Sequence, residues 1–293
     1  EEYPSTDEEA FQSTGRRVFH PLYVQQAIKT VMDPVAVGDV TADARTGKEA
    51  FNNLVFVPNN PGGNLKIWSY PHEPYNDRPV LNRYCAFADI GGRTKHADYS
   101  FLCILDRYWL LEGGVPEVAA VWHGHLDQDL FAWKAAQICY WYDKALLAVE
   151  TNSLRNKNEN TEGEHSYTIL SQISDYYPNL FARQKPDQID QYRKPTQWGF
   201  HMNRYTKNDI IDTFNGILRD DLYVERFERT IRELAYYEYK DDGSMGAVAG
   251  EKDDCVIGTS GANWLSQVYM DPPAISKHSE QAKKTFTGSA AQF

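Results

Sequence analysis

Residues 84–105 read YCAFADIGGRTKHADYSFLCIL, and this stretch predicts the centre of the fold. An apolar run from Tyr84 to Ala88 leads into Asp89 and a glycine pair, and after a polar turn Asp98 precedes a second apolar run at 101–105. Two such runs joined by a glycine-containing polar segment are typical of a β-hairpin. The pattern therefore places Asp89 at the exit of a buried strand. The alternative is that Asp89 only caps the turn.

The composition is that of an ordinary globular protein, with 42% hydrophobic and 24% charged residues in a chain of 293. That length suits one large or two small domains. No apolar run reaches the eighteen residues of a membrane-spanning helix, so we expect a soluble protein with no membrane partner. The four cysteines form no C-x-x-C pair, which favours reduced core residues over a zinc site or disulfides.

The net charge of −11 argues against a uniformly basic surface that would coat itself with nucleic acid. Between residues 181 and 207, however, basic residues outnumber acidic ones by six to two and alternate with aromatic residues. Such a segment suits phosphate contacts beside stacking surfaces, although it could also be a solvated loop. The candidate DNA-binding residues are Arg183, Lys185, Arg193, Lys194, Arg204 and Lys207.

Two further groups of acids stand at the ends of predicted elements. Glu150 follows a short apolar strand at 145–149, and Asp253 and Asp254 precede a small-residue helix at about 255–268. The intervals from Asp89 to Glu150 and from Glu150 to Asp253 are 61 and 103 residues, so only the fold could bring these acids together. Capping and the helix dipole offer an alternative explanation for the Asp-Asp pair.

If these carboxylates converge, their repulsion costs roughly 3 kcal/mol per pair at about 5 Å and an effective dielectric near 20. Divalent cations would offset that cost, and oxygen ligands favour Mg²⁺ or Mn²⁺. Two such ions support phosphodiester hydrolysis by activating water and stabilising the leaving oxygen. His123 and His125 alternate at the end of another predicted strand and are either weaker metal-ligand candidates or surface polar residues.

Several motifs together resemble the C-terminal nuclease domain of the large terminase subunit of tailed bacteriophages. They occur in order over about residues 84–265, and they are Ala88-Asp-Ile-Gly-Gly, Ala97-Asp-Tyr-Ser100, Leu147-Ala-Val-Glu-Thr-Asn152, Trp198-Gly-Phe, Asn203-Arg-Tyr-Thr-Lys207, Arg232-Glu-Leu234 and Gly250-Glu-Lys-Asp-Asp-Cys-Val256. The resemblance implies an α/β, ribonuclease H-like fold. We expect a mixed sheet of about five strands, the first three antiparallel, flanked by helices and preceded by an irregular N-terminal extension.

The resemblance also implies a metal-dependent endonuclease that cuts concatemeric double-stranded viral DNA. By motif position Asp89, Glu150 and one or both of Asp253 and Asp254 carry over as catalytic ligands of two Mg²⁺ or Mn²⁺ ions, with one of the Asp pair expected to cap the helix instead. Asp98 would support these ligands or bind metal from outside them. Lys207 would contact phosphate or support the acid cluster.

The implied organisation is a linker at 1–75 after a missing ATPase domain, a nuclease domain at 76–270 and a polar tail at 271–293. The implied partners are double-stranded DNA, that ATPase domain, the small terminase subunit and the portal, in the cytoplasm of a bacterial host or encoded by a prophage. One alternative is a DNA-gripping or docking module of the packaging motor with little cleavage of its own. Another, a carbohydrate-active enzyme with two carboxylates, leaves the Asp-Asp helix start unexplained.

Overall fold

The computed structural model describes residues 16–58, 63–71, 79–91, 99–152, 164–183 and 197–276. The candidate residues Asp98, Lys185, Arg193 and Lys194 lie outside these ranges. The strands are β1 (Ala36–Thr41), β2 (Val55–Pro58), β3 (Leu65–Ile67), β4 (Val80–Leu81), β5 (Tyr84–Asp89), β6 (Ser100–Asp106), β7 (Glu117–Gly124), β8 (Leu146–Val149), β9 (Tyr237–Tyr239), β10 (Met245–Ala247) and β11 (Ala274–Ile275). The helices are α1 (Pro21–Ile28), α2 (Gln128–Trp141), α3 (Glu164–Ser174), α4 (Arg204–Arg219), α5 (Glu228–Ala235) and α6 (Asp254–Trp264).

The main sheet has seven strands in the order β2-β1-β3-β7-β6-β5-β8. Strands β5, β6 and β7 are antiparallel as predicted, and β8 pairs with β5 in parallel. The expected mixed α/β architecture is confirmed, but the prediction of about five strands is too low. The sheet is larger because β1 and β2 attach to it through β3, which pairs with the outer edge of β7.

Apolar side chains cover both faces of the sheet, so its central strands are hydrophobic throughout. Cys85 and Phe87 of β5 face the core shared with α4, α5 and α6. Ala86 and Ala88, which alternate with them, face the core shared with α2 and α3. Two-sided burial explains why 84–88 reads as a continuous apolar run. Among the described residues, every helix is too short or too polar to span a lipid bilayer.

Helix α6 lies unusually close to the sheet because glycine stands at two points of contact. A Cβ atom added at Gly258 would come within 2.3 Å of the Phe101 ring, and one at Gly261 within 2.4 Å of the Phe87 ring. Both distances are far below van der Waals contact, so neither position has room for a side chain. This close approach sets the distance between α6 and the sheet, and the positions of the acids at the N-terminus of α6 depend on that distance.

We predict that Gly258→Ala and Gly261→Ala each lower the free energy of unfolding by about 1–3 kcal/mol, the usual cost of overpacking a core. Gly216→Ala in α4 is a matched control, because a Cβ there meets no atom within 4 Å. That control should leave stability unchanged or raise it by about 0.5–1 kcal/mol through helix propensity. Urea denaturation measures all three. Equal stability of Gly258→Ala and Gly216→Ala would contradict the close packing of α6.

Candidate metal centre

Asp89 and Glu150 stand side by side at the carboxyl ends of two parallel strands. The register pairs Ala88 with Val149, and the Glu150 N–H donates to the Ala88 carbonyl at 2.9 Å. Since side chains alternate along a strand, Asp89 lies on the face of Phe87, and Glu150 lies on the same face. Asp89 is half-buried and Glu150 is buried. The fold thus brings together two acids 61 residues apart.

Helix α6 adds two more carboxylates over the same face. Asp254 is buried in its first turn, and its Oδ2 accepts the Tyr99 N–H at 3.1 Å. Asp253 occupies the N-cap position but makes no capping hydrogen bond with its side chain. Instead, Asp253 Oδ2 lies 3.6 Å from Lys207 Nζ. The prediction that one of the pair caps the helix with its side chain is therefore wrong for Asp253, whose carboxylate pairs with Lys207 instead.

A residue from another helix meets the start of α6. Glu233 of α5 is buried, and its Oε2 accepts the Cys255 N–H at 2.7 Å. Its Oε1 pairs with Arg229 one turn earlier at 2.9 Å. A carboxylate at a helix N-terminus is also favoured by the helix dipole. The sequence analysis assigned Glu233 no role, although it lies in the Arg232-Glu-Leu234 motif and is spaced i,i+4 from an arginine.

The pKa of Asp89 reflects the closeness of these acids. Burial raises the pKa of Asp89 well above its ordinary value, and the negative charges of Glu150, Asp254 and Asp253, in that order, raise it further. Lys207 acts in the opposite direction. One ammonium therefore faces a group of four carboxylates, so the site has excess negative charge.

This donor set suits a hard divalent cation. Carboxylate oxygens are the ligands that Mg²⁺ and Mn²⁺ prefer, and excess negative charge is what such an ion would offset. Within the ranges that the structure describes, no three His, Cys, Asp or Glu side chains are grouped tightly enough to hold a metal ion. The four acids therefore interact through their charges, at distances longer than those between side chains that share a metal ion.

The described members of the predicted DNA-binding set make different contacts. Lys207 is in the acid cluster, with its Nζ 5.7 Å from the centre of the Tyr237 ring. Arg204 is exposed and donates to the Gly243 carbonyl at 3.3 Å. Arg183 is partly exposed and donates to the Trp198 carbonyl at 3.5 Å. Two residues after Trp198, Phe200 forms a parallel bridge with Glu150, so this backbone segment connects the contact of Arg183 to the acid cluster.

The raised pKa of Asp89 predicts a specific pH dependence of stability. An acid that is harder to ionise in the folded chain stabilises the fold fully below its unfolded pKa of about 3.9, and this contribution is lost as the pH rises through the folded pKa. The Asp89→Asn variant has no carboxyl group to ionise at this position, so its stability does not fall in this way as the pH rises. In EDTA, the variant should therefore gain stability over the parent from pH 4.5 to 8, by about 1.4 kcal/mol per unit of pKa elevation.

The measurement is thermal or urea unfolding at each pH. Asp241→Asn, at an exposed position, is the control and should follow the parent protein. A stability difference between Asp89→Asn and the parent that stays constant across this range would show that Asp89 ionises normally in the folded state.

Comparison with known proteins supports the fold. No protein-family model and no curated protein matches this sequence. Among solved structures, the large terminase nuclease from thermophilic phage G20c with bound magnesium is similar, with 14% identity over 87% of this chain and 98% of that one and a TM-score of 0.50. The human cytomegalovirus terminase nuclease domain has 14% identity over 71% of this chain and 94% of that one, with a TM-score of 0.43. The chain thus has the ribonuclease H-like fold of a large terminase nuclease, as the sequence motifs indicated.

Proposed function

We propose that this chain is the metal-dependent endonuclease domain of a viral DNA-packaging terminase, which cleaves concatemeric double-stranded DNA by two-metal-ion hydrolysis. One observation carries the proposal. Glu150, Asp254 and Asp253, far from Asp89 in the sequence, lie over the same face of the sheet, and their charges add to the effect of burial in raising the pKa of Asp89. Acids that only capped turns and helices would have no reason to converge.

The fold and the donor chemistry support this function independently. The phage nuclease whose fold this chain shares is described with bound magnesium, and the acid cluster here offers oxygen ligands of the same preference. Asp89, Glu150, Asp253 and Asp254 are the residues that would hold the ions. Bound divalent ions would supply an activated water and stabilise the leaving oxygen of the phosphodiester.

The surrounding residues have distinct tasks in this proposal. Lys207 holds Asp253 and adds positive charge where a phosphate would approach. Glu233 fixes the first turn of α6 and with it the position of Asp254. Asp98, outside the described residues, remains a candidate supporting acid, and Arg183, Lys185, Arg193, Lys194 and Arg204 remain candidate DNA contacts.

The wider context belongs to the same proposal. Double-stranded DNA is the substrate, and the ATPase domain of the packaging motor, the small terminase subunit and the portal are the protein partners. The reaction would take place in the bacterial cytoplasm, where phage genomes are packaged.

Plasmid nicking tests the proposal. The parent protein should convert supercoiled plasmid to nicked and linear forms in Mn²⁺ or Mg²⁺ and not in EDTA. Asp89→Asn and Glu150→Gln should each reduce the rate by more than about 100-fold, because even the partners of metal ligands contribute 10- to 100-fold. Their melting temperatures in EDTA should equal or exceed that of the parent, because each variant removes one repelling charge.

Asp241→Asn serves again as the control and should cut at the parent rate. Undiminished nicking by both Asp89→Asn and Glu150→Gln would refute the assignment of the site. Duplex binding without cleavage at any metal concentration would instead favour the gripping module.

A further inference from the structure

A surface of basic and aromatic side chains adjoins the acid cluster on the same face of the sheet, and it consists of Lys66, Tyr99, His123, His125 and Arg229. The registers place His123 of β7 opposite Phe101 of β6, and Phe101 opposite Asp89 of β5. Lys66 of β3 pairs with Val121, two residues before His123. Lys66, Val121 and His123 therefore lie on the same face of the sheet. Neighbouring strands are about 4.8 Å apart, so β7 lies roughly 10 Å from the strand that carries Asp89.

Aromatic stacking joins the residues of this surface. The Tyr99 ring stacks on His123 and His125, with ring centres 4.5 and 4.1 Å away. The Arg229 guanidinium lies 4.8 Å from the centre of the same ring. Since the Tyr99 N–H donates to Asp254, one residue connects the basic surface to the acid cluster.

Positive charge on this surface exceeds the negative charge that faces it. Lys66 Nζ lies 5.3 Å from the centre of the Phe227 ring, and no carboxylate in the described part of the chain forms an ion pair with it. Burial lowers the pKa of Lys66, and Arg229 contributes in the same direction. Burial, then Arg229, Lys66 and His125, lower the pKa of His123 to about 3. The negative charge of Glu233 pairs with Arg229 and leaves the positive charge of Lys66 unbalanced.

An anion satisfies this surface better than a metal ion does. The rings of His123 in β7 and His125 just after it stack on the same Tyr99 ring, as closely as two metal ligands could lie. The positive charges of Lys66 and Arg229 beside them would repel a cation. A phosphate group would instead accept hydrogen bonds from both cationic side chains.

We infer that Lys66, Arg229 and His125 form a phosphate-binding subsite for the DNA strand, beside the phosphodiester held at the acid cluster. Strands β7 and β3 are two and three strand spacings from β5, roughly 10 and 14 Å, so the phosphate bound there is a different one from that phosphodiester. Tyr99 orients the two histidines and Arg229 without touching the phosphate. The inference rests on the proposed function for the identity of the anion, and it assigns DNA contacts outside residues 181–207.

The test measures binding in the absence of cleavage. The full chain carrying Asp89→Asn, in EDTA, is titrated against a fluorescein-labelled 20-base-pair duplex at several NaCl concentrations, and anisotropy gives the Kd. Adding Lys66→Met should lower the slope of log affinity against log salt by about 0.9, the value for one lost phosphate contact. Affinity at 0.1 M salt should fall about eightfold by the same relation.

Lys144→Met is a closely matched control. Lys144 Nζ also lies 5.3 Å from an aromatic ring, that of Tyr140, but Lys144 precedes β8 at the end of the sheet opposite Glu150. This variant should keep the slope and affinity of the parent. Unchanged melting temperatures would show that both variants are folded.

A salt slope for Lys66→Met equal to that of Lys144→Met would overturn the inference, as would a parent that binds no duplex. The result does not depend on nicking. A chain that never cuts DNA in Mn²⁺ refutes the nuclease proposal, yet it can still show the Lys66 effect, and a chain that cuts without that effect refutes only the subsite.

Discussion

Repulsion among carboxylates is the constraint on which the arrangement of this domain depends. Asp89, Glu150, Asp253 and Asp254 come from two neighbouring strand ends and the start of a helix, and beyond the effect of burial the charges of the other three raise the pKa of Asp89, so bringing them together costs free energy. Packing elsewhere must offset that cost. Burial of both faces of the central strands stabilises the fold, and Gly258 and Gly261 let α6 pack closely on the sheet despite the acids at its start.

The acid residues could be predicted from the sequence because the signals that mark them are local. A buried strand is a short apolar run, so Asp89 and Glu150 are visible as acids at the ends of such runs. The Asp253-Asp254 pair is visible as the start of a small-residue helix. Their convergence is not local, because it follows from the parallel pairing of β5 with β8 and from the packing of α6 on β5 and β6. Only the combined resemblance indicated it.

Features that depend on distant partners could not be predicted in this way. Strand β3 is three residues long, and its place in the sheet comes from pairing with β7. Glu233 reaches the start of α6 across a helix–helix contact, and neither its motif nor its i,i+4 arginine shows in the sequence that Cys255 is the partner. Lys66 and Arg229 likewise lie in unremarkable surroundings, whereas counting charges directed attention to residues 181–207. Local charge density does not reveal basic surfaces that are assembled by strand register.

The contact between Lys207 and Asp253 has a consequence for how the protein is made. An ammonium group that is part of the chain is available as soon as α4 and α6 pack together, whatever ions the cell supplies. Lys207 thereby offsets part of the repulsion within the acid cluster as the domain folds. The folded domain can therefore hold these acids together before any ion is bound.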